Sequence, residues 1–153
     1  MRRLKVVLLA IFLGLTSVGC SSTQKVSVSP SAENLKIQTA YLVTRGGKLS
    51  GKIETALKED LRTRGLKVVT GPDLTKTADA DVIVKYTDHW AWDLSMYVVS
   101  LEIEMFAAKS ADLLANGVWK NSSFHSFPEE STLVKGIDDE IFEKMKVERA
   151  ATP

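Results

Sequence analysis

The chain reads as an α+β domain, a two-layer sandwich in which two helices cover one face of a mixed, mostly antiparallel sheet of about five strands. Three observations lead there. Segments of period two dominate residues 35–122, one strongly amphipathic stretch interrupts them early, and a second stretch of helical spacing closes the domain. The resulting order is strand, helix, strand, strand, strand, strand, helix. Two amphipathic helices in that order bury their apolar stripes best by lying together on the sheet.

The first strand falls within 35–43, where Ile37, Thr39, Tyr41 and Val43 alternate with Lys36, Gln38, Ala40 and Leu42. Arg45-Gly46-Gly47 ends it. Leu49, Ile53, Ala56, Leu57 and Leu61 then recur at helical spacing, with Lys52, Glu54, Lys58, Glu59, Arg62 and Arg64 on the opposite side. Glu54 and Lys58 are an i,i+4 pair in the favourable order. Gly65 stands where a left-handed cap belongs, and Leu66 follows to fold back on the last turn. Residues 66–70 make a short strand stopped by Gly71-Pro72, and a right-handed crossover leaves the first two strands parallel.

Polar residues 73–79 lead to Asp81 and a long strand with Val82, Val84, Tyr86, Trp90 and Trp92 on one face, broken by Asp88. A turn at 93–95 sends back a second long strand over 96–107, with Tyr97, Val99, Leu101, Ile103 and Met105 on one face. Residues 113–122 add a third strand to this meander. Residues 128–131 open the closing helix, where Leu133, Ile137, Ile141 and Met145 repeat every fourth residue beside Val134 and Phe142, and Gly136 weakens it slightly. Residues 147–153 read as a disordered tail.

The first nineteen residues stand apart from this domain. Arg2, Arg3 and Lys5 precede an apolar run from Val6 to Leu15, and small residues lead to Cys20. That run is about ten residues, roughly 15 Å as a helix, which is short of the ~20 residues a spanning helix needs. It has the layout of a cleaved secretory signal. The stretch Val18-Gly19-Cys20 resembles the lipobox of bacterial lipoproteins, although Ser17 stands where leucine is usual. The resemblance implies cleavage before Cys20 and acylation there, with Ser21 in place of an aspartate favouring the outer membrane, facing the periplasm. Cys20 is the single cysteine of the chain, so lipidation also accounts for a thiol with no disulfide partner. Residues 20–34, serine-rich with Pro30, read as the lipidated N-terminus and a flexible tether, and 35–146 as one domain.

Cleavage removes three basic residues and leaves 17 against 19 acidic ones, a charge of −2. A near-neutral surface excludes nucleic acid as an expected partner. No cofactor is implied. His89 and His125 are the only histidines, and a metal site assembled from them with Asp88, Asp93 or Asp81 is not expected, because Asp88 and His89 point to opposite strand faces and cannot both meet one ion without a bulge, and no HxH or HExxH spacing is present. Glu102 and Glu104 share a face, but alternating charge on a solvated sheet explains them without catalysis.

The domain resembles small envelope lipoproteins of unknown function in residues 57–69 (LKEDLRTRGLKVV), 78–86 (ADADVIVKY) and 101–117 (LEIEMFAAKSADLLANG). The resemblance implies an accessory role and places no functional residue. A binding patch is read from Trp90 and Trp92 with Tyr86 beneath them and Asp88 on the same face, bordered by Phe124 and Phe127. Three functions compete. The leading expectation is a non-enzymatic, membrane-anchored lipoprotein that binds an envelope protein partner. A peptidoglycan or glycan-binding module is the alternative, and a hydrolase is the third class.

Overall fold

The computed structural model describes residues 22–122 and 126–146. Its elements are β1 (Thr23–Val28), a single 3-10 turn (Pro30–Ala32), β2 (Thr39–Val43), α1 (Ser50–Thr63), β3 (Lys67–Gly71), β4 (Val82–Asp93), β5 (Ser95–Ala107), β6 (Leu113–Lys120) and α2 (Glu130–Met145). They form one six-stranded sheet in the order β1-β6-β5-β4-β2-β3. β2 pairs parallel with both β3 and β4, and the other pairings are antiparallel. The expected α+β class, mixed sheet and parallel first pair are therefore present, with six strands in place of five.

The sixth strand lies in the segment read as a tether. Residues 23–28 run antiparallel to β6, from Thr23 opposite Lys120 to Val28 opposite Ala115. Val26 and Val28 pack against the main core, while Gln24 donates to the Gly136 carbonyl at 3.0 Å and to Glu140 at 2.9 Å. Without β1, β6 would end the sheet with a row of unpaired backbone groups. An edge strand with one neighbour needs only two apolar residues on its inner face, which is why its composition looks like that of a linker. The Lys144 ammonium also donates to the Val26 carbonyl at 2.7 Å, covering part of the outer edge.

Both helices lie on the same face. Ile53, Leu57 and Leu61 of α1 and Leu133, Val134, Ile137, Ile141 and Met145 of α2 are buried against Leu42, Val84, Tyr86, Leu101, Ile103, Met105 and Trp119. The end of α1 has the expected form: Gly65 takes φ 87°, Leu66 N–H donates to the Leu61 carbonyl at 3.1 Å, and the Leu66 side chain is buried. Gly117 lets α2 approach β6, since a Cβ there would stand 2.3 Å from Ile137 Cγ2. A second, smaller core of Tyr41, Val43, Ala80, Ile83 and Ala108 sits on the opposite face, joined by Leu74. That second core explains why β2 is apolar on both sides.

Two departures from simple alternation matter. Between His89 and Trp90 the β4–β5 register shifts, with His89 opposite Ser100 and Trp90 opposite Val98, so β5 carries one extra residue, Val99. Val98 consequently turns into the core and Val99 is 38% exposed, contrary to the expected shared face of Tyr97, Val99 and Leu101. A second shift at Met105/Phe106 gives β6 an extra residue and buries both Leu114 and Ala115.

Candidate functional site

The β4–β5 hairpin is longer than anything beside it. β2 pairs with β4 only through Val82–Val84, and β6 pairs with β5 only from Ser100 onward. Beyond those limits the two strands have chiefly each other. Arg45 donates to the Tyr86 carbonyl at 2.8 Å, and the Asn121 backbone and side-chain amides donate to the Val99 and Val98 carbonyls at 2.9 and 3.0 Å. From the His89–Ser100 pair to Leu94 the hairpin projects roughly 17 Å at ~3.3 Å per residue.

At its base, Asp88 ties β4 to the start of α1. The Ser50 hydroxyl in the first turn of α1 lies 2.9 Å from Asp88 Oδ2 and 3.1 Å from Oδ1, and Trp90 Nε1–H donates to the same Oδ2 at 2.5 Å. A carboxylate at a helix start is electrostatically favourable, so the charge on this core face is satisfied. The Tyr86 hydroxyl donates to the Ser50 carbonyl at 3.2 Å. Burial, then the charges of Glu54 and Asp88, push the Tyr86 phenol up to about 12.

The expected patch therefore divides. Tyr86 is buried, Asp88 is part of the bracket just described, and Trp90 packs half-buried against the main core. Trp92, two residues on, is 71% exposed because the helix layer ends below it. Phe127 is also exposed, with Tyr97 edge-on at 5.5 Å between ring centroids. Phe124 and Cys20 lie outside the described residues, as do the signal at 1–19, His125 and the tail at 147–153.

Sequence reasoning missed the aliphatic neighbours of Trp92. Leu94 is 90% exposed, and Met96 and Val99 are exposed beside it. The only signal was a leucine in a turn between two polar residues, Asp93 and Ser95. Leu94 adopts φ 59°, a left-handed conformation that glycine or asparagine takes at lower cost.

Away from the second core, the sheet face opposite the helices is mostly polar. Thr87, His89, Ser100, Glu102, Val118 and Lys120 line a shallow trough of about 380 Å³. His89 Nδ1 lies 3.2 Å from Ser100 Oγ, and the Asn116 amide donates to Glu102 at 2.6 Å. Burial, then the charge of Glu102, raise Glu104, and Lys85 offsets part of this. Among the described residues no three His, Cys, Asp or Glu side chains converge as metal ligands, and no helix is long and apolar enough to cross a membrane.

No protein-family model matches the chain, and no curated protein sequence matches it. Solved structures do resemble it. The dodecamer of PelC from Paraburkholderia phytofirmans superposes with a TM-score of 0.56 at 11% identity, covering 83% of this chain and 99% of that one. A dodecamer of a leucine-to-methionine variant of PelC from the same organism gives 0.53 at 12% identity, covering 82% and 98%. A minor lipoprotein from Acinetobacter baumannii gives 0.36 at 12% identity, covering 74% and 98%. At these identities the PelC likeness establishes a shared fold.

Proposed function

We propose that this chain is a non-enzymatic component of the bacterial cell envelope, held at a membrane surface by acyl chains on Cys20 and acting by binding protein. The observation that carries the reading is the signal-like start ending at Cys20, three residues before the first strand of a folded domain. Two or three acyl chains anchor firmly where one holds only marginally. Placement on the periplasmic side of the outer membrane follows from Ser21 and from the lipobox resemblance.

The fold likeness to PelC dodecamers supports protein binding, with further copies of this chain as the first partner to test. The Asp88 bracket reads as support for the hairpin, and the polar trough as a solvated sheet face. With Trp90 turned inward and Tyr86 buried, Trp92 has no second aromatic beside it on its strand face, which favours protein binding over a stacked glycan platform. Mass spectrometry of the mature N-terminus tests the anchor: a diacylated or triacylated Cys20 is expected, and an unmodified soluble chain refutes it. Light scattering of the purified acylated protein tests the partner, with a multimer expected.

A further inference from the structure

We propose that the tip of the β4–β5 hairpin inserts into the lipid bilayer beside the acyl anchor, so that the domain touches the membrane at two points. The inference rests on the anchor reading above and adds a contact that acylation does not require.

One line of register places both points at the same end of the sheet. Thr23 pairs with Lys120, Lys120 with Ser100, and Ser100 with His89. From that line β1 runs away toward Val28, so the chain preceding Thr23 leaves on the side where the hairpin projects. Cys20 is three residues before Thr23, a length of chain that can span about 10 Å at most. The hairpin tip stands roughly 17 Å beyond the same line, displaced sideways by three strand spacings, about 14 Å. A cysteine acylated at the bilayer surface therefore brings the tip to lipid unless the sheet tilts strongly away.

The chemistry of the tip suits that position. Of the six large apolar residues most exposed among the described ones, Trp92, Leu94, Met96, Val99 and Phe127 are at this end, and Leu113 is at the other. Tryptophan favours the headgroup boundary, where its ring is buried and its N–H stays wet. Leu94 holds a strained backbone conformation at the most exposed point of the turn, which folding alone does not reward. Exposed Lys120 on the register line and exposed Lys25 two residues from it suit an anionic headgroup layer.

The test uses the full-length precursor expressed in bacteria, and the mature acylated protein reconstituted into phosphatidylethanolamine and phosphatidylglycerol vesicles with and without brominated lipid. Brominated lipid is expected to quench the wild-type indole fluorescence, and Trp92→Phe is expected to lose the larger part of that quenching. A Leu94→Glu, Met96→Glu double variant, still acylated by mass, is expected to lose it too. Acylated protein whose quenching is unchanged by Trp92→Phe overturns the insertion while leaving the anchor reading standing. Shielding of Trp92 from aqueous acrylamide without quenching by brominated lipid also overturns it, in favour of a second copy or another protein at the tip. Absence of acylation on the wild-type chain defeats the anchor reading instead.

Discussion

Asp138 offers the sharpest test of the packing described above. It lies on the inner stripe of α2 with no exposed surface, and neither carboxyl oxygen has a hydrogen-bond donor among the described residues. Burial first, and then the charge of Asp60 on α1 and a hydrogen bond to it, raise its pKa well above the usual carboxylate value. A proton on Asp138 supplies the missing donor, with Asp60 as acceptor, and Arg64 engages Asp60 at 2.6 Å and Asp139 at 2.8 Å. The unfolded chain releases that proton near its ordinary pKa, so this group's contribution is fully present below about pH 4. It is lost as pH rises toward the folded value, at roughly 1 kcal/mol per pH unit. Urea unfolding of the full chain, followed by tryptophan fluorescence, should show the wild type gaining stability from pH 7 to pH 5. Asp138→Asn, which cannot titrate, should remove that gain, and the difference between the two profiles isolates the one group. Parallel profiles over this window would show that Asp138 is ionised in the folded protein and that burial beside Asp60 does not hold its proton. Below about pH 4 the sign reverses for Asp139, held low by Lys135 and Arg64, and for Glu140, held low by Lys144 and Gln24. Their stability is present above their ordinary values and is lost as acid protonates them, in both proteins equally.

The two neighbouring indoles should behave oppositely in thermal melts. Trp90→Ala removes core contacts and takes one of its donors from Asp88, leaving Ser50, and costs about 3 kcal/mol, whereas Trp92→Ala should stay within ~0.5 kcal/mol of wild type. Gly117→Val should lower stability by about 2–3 kcal/mol, because its side chain would collide with Ile137 and lever α2 off β6. Val26→Asp should cost about 2 kcal/mol in urea if β1 is part of the sheet, and nothing measurable if residues 23–28 are a tether.

Local pattern was enough for the elements and their approximate bounds. A period of 3.6 in Ile53, Leu57 and Leu61 and in Leu133, Ile137 and Ile141 marks a helix wherever the chain folds, and Gly65 caps the first for reasons internal to that turn. Alternation over 82–92 and 101–105 likewise marks strands, and two helices among mostly antiparallel strands leave few architectures. The signal and Cys20 are also matters of linear order. What depended on tertiary structure was everything decided by a partner distant in sequence. Residues 23–28 are a strand because β6, far along the chain, presents an open edge on which Lys120 stands opposite Thr23. Val99 faces outward because a bulge absorbs one residue, and no sequence period announces where an extra residue falls. Trp90 and Trp92 have the same local pattern, and only the reach of the helix layer buries one and leaves the other exposed. Asp138 sits four residues after Val134 on the buried stripe, yet its burial beside Asp60 required the packing of α1 on α2. Short-range periodicity carries information about a residue's own element, while burial is set by whatever lies across from it.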